Sequence, residues 1–156
     1  MGSSLQLRSP HRIMLDQIVL IDDDKFTNKI NQKTIRQLLP NISIQVFENG
    51  EEGLSYLINQ QDKQLNILVF LDLQMPVMSG FEFLDVYENA IAHQEPPFTI
   101  CLLSNELEAT RQHCLSAYPS VLDYVQKPLN IKRTEDLIVQ VTQTFASSQQ
   151  LVSALY

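Results

Sequence analysis

Four places in the chain set a polar group able to do chemistry after an apolar stretch. Asp22-Asp23-Asp24 follows Ile18–Ile21, Asp72 follows Ile67–Leu71, Ser104 follows Ile100–Leu103, and Lys127-Pro128 follows the short stretch around Tyr124-Val125. Short unbroken apolar runs suit strands covered on both faces, which points to a parallel sheet with helices packed over it. The polar groups then stand at the carboxyl ends of strands, where open α/β sheets bind ligands. Gathered at one edge, Asp22, Asp23 and Asp72 would raise one another's pKa values unless a cation joined them. An all-oxygen donor set with room for water and phosphate oxygens suits Mg²⁺, whereas softer transition metals want His or Cys. Taken singly, the same residues have ordinary roles. A lone Asp after a strand turns the chain or caps a helix, an acidic triplet suits a solvated helix N-terminus, a lysine before a turn sits at the surface, and a strand tyrosine packs.

The elements that must position these groups follow from periodicity and breakers. Ile18–Ile21 reads as strand one, leading into a helix with Phe26, Ile30, Ile35, Leu38 and Leu39 at helical spacing, stopped by Pro40. Ile42, Ile44 and Val46 alternate with polar residues, as in a half-exposed edge strand, and Asn49-Gly50 turns the chain. Glu51 to Gln60 is a short helix, and Ile67 to Leu71 is strand three, ending in Asp72. Pro76 and Gly80 prevent its continuation, and Ser79-Gly80 opens a helix from about Gly80 to Ala92. Phe98 to Leu103 is strand four, Glu106 to Ala117 helix four, Val121 to Val125 strand five, and Asn130 to Phe145 the last helix. Five strands alternating with five helices imply a doubly wound α/β fold with a parallel sheet and right-handed crossovers.

The segments Ile-Asp-Asp-Asp at 21–24, Leu-Asp-Leu-Gln-Met-Pro-Val-Met-Ser-Gly at 71–80, Leu-Leu-Ser-Asn at 102–105 and Asp-Tyr-Val-Gln-Lys-Pro at 123–128 carry a resemblance. Through them the chain resembles the receiver domain of two-component response regulators, from roughly Gln17 to Phe145. The resemblance implies a flavodoxin-like five-stranded sheet of order 2-1-3-4-5, with strand two, which bears no functional group, at an edge. It implies that Asp72 is the phosphoacceptor, taking a phosphoryl group from a sensor histidine kinase or a histidine phosphotransfer protein. Asp23, Asp72 and the backbone carbonyl of Gln74 would bind Mg²⁺ directly, and Asp22 would hold it through water. Lys127 would neutralise the transferring oxygens, with a cis bond to Pro128. Ser104 and Tyr124 match the switch positions, through which phosphorylation would favour an inward Tyr124 and reshape a surface read by a downstream protein. Gln74 and Asn105 would overhang the phosphoryl group and modulate rates. Two departures stand out: Asn105 replaces a usual small residue, and Pro119-Ser120-Val121-Leu122 replaces a usual Gly-Ala.

Length and composition set outer bounds. The 156 residues suit one domain, here 17–145, with 1–16 as a disordered or vector-derived leader and 146–156 as a C-terminal tail. A net charge of −7 and a pI near 4.8 argue against nucleic acid or an anionic membrane as a direct partner. No stretch suits a membrane span or secretory signal, so a cytoplasmic protein is expected. Cys101 and Cys114 read as free thiols, and His11, His93 and His113 as surface residues. A haloacid dehalogenase-like phosphatase is the alternative, but its second Asp would fall where Gln74 stands. A third reading is a pseudo-receiver binding module that is never phosphorylated. On the receiver reading the chain is no enzyme beyond catalysing its own phosphorylation and dephosphorylation.

Overall fold

The computed structural model of the chain describes residues 15–91, 98–105 and 108–155. In chain order the elements are β1 (Gln17–Ile21), α1 (Lys25–Leu38), β2 (Ser43–Phe47), α2 (Gly50–Gln60), β3 (Ile67–Asp72), α3 (Gly80–Ala90), β4 (Thr99–Ser104), α4 (Glu108–Ala117), β5 (Val121–Gln126) and α5 (Ile131–Leu155). The strands form one sheet of order β2-β1-β3-β4-β5, and every neighbouring pair is parallel. This is the flavodoxin-like order that the resemblance implies. The alternating strand β2 lies at an edge and is only partly covered, while β1 and β3 are buried along their whole length.

Burial on both sides of β1 and β3 creates two cores. Ile18, Leu20, Leu68 and Phe70 join Ile35 and Leu38 of α1 and Leu137, Ile138 and Val141 of α5. Their neighbours Val19, Ile21, Val69 and Leu71 turn to the other side and join Leu54 and Leu57 of α2, Phe83, Leu84 and Tyr87 of α3, and Cys114 of α4. Cys101 belongs to the first core and Cys114 to the second, so the sheet separates them and both stay free thiols. Burial pushes the Cys101 thiol up to about 12, which leaves it an inert apolar group.

The local signals act as capping chemistry predicts. Asn49 is the N-cap of α2, accepting from the Glu52 amide at 2.8 Å, and Ser79 with Glu82 forms a capping box at the start of α3. The buried Tyr87 hydroxyl donates to the Phe98 carbonyl at 3.2 Å and accepts from the Phe98 amide at 3.1 Å, tying α3 to the entry of β4.

Three expectations change. Phe26 does not belong to the apolar face of α1; it is 72 % exposed, and the inward positions are Asn28, Asn31, Thr34, Ile35 and Leu38. The last helix passes Phe145 and continues to Leu155, into the segment read as a tail, because Ala146–Leu155 holds no Gly or Pro to stop it. Helix α3 ends at Ala90 rather than Ala92. His113 is exposed as expected, whereas His11, His93, the Pro96-Pro97 loop and the expected helix start at Glu106 lie outside the described residues.

Candidate functional site

Each group at the carboxyl edge is placed by the strand before it. Strand β1 buries Ile18–Ile21 and leaves Asp22 as the next residue, fully buried, its amide donating to the Phe47 carbonyl at 3.0 Å. One Asp22 oxygen accepts from the Asp24 amide at 2.9 Å, which turns the chain sharply into α1. Asp24 is then the N-cap of that helix, accepting from the Phe26 and Thr27 amides and the Thr27 hydroxyl. Those Thr27 and Phe26 bonds hold its carboxyl below the ordinary range. The acidic triplet therefore divides: Asp24 serves the helix, and Asp22 and Asp23 serve the edge.

Asp72 is the last residue of β3 and is 3 % exposed. Its Oδ1 accepts from the Gln74 amide at 3.3 Å. Close behind it, Gly80 starts α3 where no side chain fits: an added Cβ would lie 2.6 Å from both the Asp72 carbonyl oxygen and the Leu73 Cα. One carboxylate oxygen from each of Asp22, Asp23 and Asp72 lies within 4.8 Å of the other two, the one such acidic group among the described residues. Asp22 and Asp72 are buried and Asp23 is exposed, so the group opens to solvent on one side.

Lys127 closes the arrangement. Its ammonium lies 2.9 Å from Asp22 Oδ2 and 3.1 Å from Asp72 Oδ2, and its bond to Pro128 is cis. The Lys127 amide donates to the Ser104 carbonyl at 3.2 Å, which holds the ends of β4 and β5 together. Burial disfavours the ammonium, but the bonds to Asp22 and Asp72 outweigh it and raise the lysine above its ordinary value. For Asp72 the balance tips the other way. Burial first, and then the Asp22 charge, push its carboxyl up to about 6 against the opposing pull of Lys127 and the Gln74 amide. One ammonium does not neutralise three crowded carboxylates. The site has a deficit of positive charge that a hard divalent cation fits, since all the donors are oxygens and one side is open. Asp22, Asp23 and Asp72 are the residues that would hold it.

The remaining positions expected from the sequence fall around this pocket. Ser104 ends β4 and is buried, while Gln74 and Asn105 are exposed at the rim. Tyr124 is buried, in the same core cluster as Leu102, Cys114 and Val121.

The inner face of α1 was not legible as part of the site. Asn28 Nδ2 donates to the Asp22 carbonyl at 2.8 Å, and Asn31 Oδ1 accepts from the Leu129 amide at 2.9 Å. Thr34 Oγ1 donates to the Ile30 carbonyl at 3.1 Å and lies 3.4 Å from the Leu129 carbonyl. The available signal was the spacing, because Asn28, Asn31 and Thr34 extend the Ile35 and Leu38 face back toward Asp24.

A parallel α/β sheet with an acidic pocket and a lysine at the carboxyl ends of its strands defines the class: a doubly wound domain with its site where such folds bind ligands. Residues 18–139 match the response regulator receiver domain family, and the chain belongs to it. A two-component response regulator of Arabidopsis thaliana, ARR17, is 28 % identical over 129 residues, covering 77 % of this chain and 80 % of that one. Hybrid signal transduction histidine kinase I of Dictyostelium discoideum is also 28 % identical over 129 residues, but the chain spans only 7 % of the kinase's length. Among solved structures, a two-component response regulator from Cytophaga hutchinsonii superposes with a TM-score of 0.72 at 26 % identity, covering 83 % of this chain and 98 % of that one. The receiver domain of Saccharomyces cerevisiae Ssk1, solved with the histidine phosphotransfer protein Ypd1, has the same fold, with a TM-score of 0.67 at 22 % identity over 85 % of this chain and 92 % of that one. No helix among the described residues is long and apolar enough to cross a membrane.

Proposed function

We propose that Asp72 accepts a phosphoryl group from a phosphohistidine on a sensor histidine kinase or a histidine phosphotransfer protein, in a Mg²⁺-dependent reaction. The observation that carries this reading is the Lys127 ammonium bridging Asp22 and Asp72 at 2.9 and 3.1 Å inside a pocket of three carboxylates. A carboxylate at a strand end can attack phosphorus, and the protein's work is then positioning and charge neutralisation. As an Asp72 oxygen forms the new P–O bond, the P–N bond to the donor breaks. The bonding pair stays on the imidazole nitrogen, and the ring takes up a proton from water. Lys127 faces Asp72 Oδ2, where it would neutralise charge on the transferring group, and Asp22 holds that lysine in place. Mg²⁺ bound by Asp22, Asp23, Asp72 and the Gln74 carbonyl would supply the positive charge that Lys127 alone does not.

Ser104, buried at the end of β4, would donate its hydroxyl to the phosphoryl group. Because Tyr124 already lies inside, phosphorylation would hold that rotamer rather than create it, steadying the α4–β5–α5 surface for a downstream protein. In this reading the chain turns over no separate substrate and catalyses only its own phosphorylation and dephosphorylation in the cytoplasm. Docking of the donor is supported by Phe26 at the start of α1 and Val77 in the β3–α3 loop. They are 72 % and 77 % exposed, the most exposed large apolar side chains among the described residues, and both lie on segments that carry the site.

Intact-mass measurement after incubation with acetyl phosphate and Mg²⁺ tests the reading. The expected product is a single adduct of about 80 Da, absent without Mg²⁺ and absent from Asp72→Asn. The same adduct on the Asn variant would overturn the assignment of Asp72.

A further inference from the structure

Helix α1 touches both catalytic loops through polar atoms that the core encloses. Asn28, 3 % exposed, donates from Nδ2 to the Asp22 carbonyl, the peptide between the two N-terminal acidic residues of the pocket. Asn31, fully buried, accepts from the amide of Leu129, two residues beyond Lys127. Thr34, one turn further, lies against the Leu129 carbonyl at 3.4 Å. Each asparagine makes one of these bonds and keeps its other amide atom, Asn28 Oδ1 and Asn31 Nδ2, buried without a hydrogen-bond partner. Burying such groups in a helix face that could hold Leu or Ile costs stability that the bonds made only partly offset, so what the bonds contribute is a fixed position that apolar packing would leave to slide. The neighbouring Ile35 and Leu38 already supply the apolar contact of α1 with the sheet.

We propose that Asn28 and Asn31 are positioning residues with separate duties: Asn28 sets the Asp22–Asp23 loop for cation binding, and Asn31, assisted by Thr34, sets Lys127 for phosphoryl transfer. The inference rests on the phosphoacceptor reading above. It deepens that reading by placing both loops on one rigid helix whose outer surface carries Phe26. A donor protein seated on Phe26 would press on the element that registers the two loops.

The separation of duties gives a crossed test in the full chain. Mg²⁺ affinity by titration calorimetry and the phosphorylation rate with acetyl phosphate at saturating Mg²⁺ are measured for Asn28→Ala, Asn31→Ala and Thr34→Val. Asn28→Ala should weaken Mg²⁺ binding about tenfold, the low end of the range for groups that orient metal ligands, and keep most of the saturated rate. Asn31→Ala should slow the saturated rate by a similar factor with nearly wild-type Mg²⁺ affinity, and the Leu129 amide should exchange its hydrogen faster. Thr34→Val, which keeps the volume, should give a weaker version of the Asn31 pattern and serves if Asn31→Ala does not fold. A general loss of stability would move both quantities together. Equal effects of all variants on both quantities, or no effect in folded variants, would overturn the proposal. A wild-type chain that takes no phosphoryl group would overturn the phosphoacceptor reading instead, and the Mg²⁺ and amide-exchange measurements would still judge the two asparagines.

Discussion

Replacing Asp72 by Asn should stabilise the metal-free protein while abolishing phosphorylation. The carboxyl of Asp72 is pushed from 3.8 to about 6 by burial and by Asp22, with the opposing attraction of Lys127 already included. At pH 8 the group is ionised in both folded and unfolded chains. Ionisation then weighs against the fold by about two pH units, or about 3 kcal/mol at 1.36 kcal/mol per unit. Asn has the shape of the neutral acid and escapes this cost. Lys127 keeps its partner Asp22 at 2.9 Å in the variant, so no buried cation is left alone. The sign follows from proton counting: between the unfolded value near 3.8 and the folded value near 6, the folded state binds more protons, so wild-type stability rises as pH falls through that window. The advantage of Asp72→Asn should therefore be largest above pH 6 and vanish below about pH 4. Urea denaturation followed by circular dichroism in EDTA, from pH 4 to pH 8, reads this directly. Adding Mg²⁺ should shrink the gap by stabilising wild type through binding, as mass action requires. An Asn variant no more stable than wild type at pH 8, with no pH-dependent gap, would refute the electrostatic account of the pocket.

Gly80→Ala should destabilise the chain by about 2–3 kcal/mol and slow phosphorylation, because the new methyl group meets the Asp72 carbonyl and Leu73 Cα at 2.6 Å, and backbone cannot step aside as a side-chain tip can; urea midpoints and acetyl phosphate labelling check this. Val77→Asn should raise stability by about 1 kcal/mol in the same unfolding assay, since a β-branched residue at φ 70° is strained and this one is 77 % exposed, with little packing to lose. Phe26→Ser should leave labelling by acetyl phosphate intact but slow transfer from a phosphorylated histidine phosphotransfer protein, read by loss of label from the donor. Asn105→Ala should speed labelling by small donors severalfold at saturating Mg²⁺, which corresponds to about 1 kcal/mol in the barrier; equal rates would place that amide off the reaction path.

Much of the site was legible because each polar group follows an apolar run. A strand buried on both faces allows no polar interruption, so Asp22, Asp72 and Ser104 mark strand ends by their chemical type, and the breakers Pro76 and Gly80 confine Asp72 to a turn; Lys127 is the weaker case, since it follows Gln126 in the partly covered edge strand β5. Helix α1 was the weak point for the same physical reason. Hydrophobic periodicity assigns Phe26 to the core and Asn28 and Asn31 to water, yet the helix turns its amides inward because the Asp22 carbonyl and Leu129 amide stand there to meet them. Those partners lie 6 and 98 residues away in sequence, and only the second separation makes the pairing invisible to local pattern.

The sequence by itself determined the alternation of strands and helices, the parallel sheet and the residue types at its carboxyl edge, since these depend on period, breakers and the order of apolar runs along the chain. Tertiary structure decided which acid does what. Asp24 bends back to cap α1, Asp22 turns inward to hold Lys127 and Asp23 stays at the open side, although the three are adjacent and chemically identical. It also decided the protonation balance of Asp72 and the inward position of Tyr124, because a pKa and a rotamer depend on what other segments bring within a few ångströms. Adjacency in sequence carries no record of burial or of the charges that arrive from across the sheet.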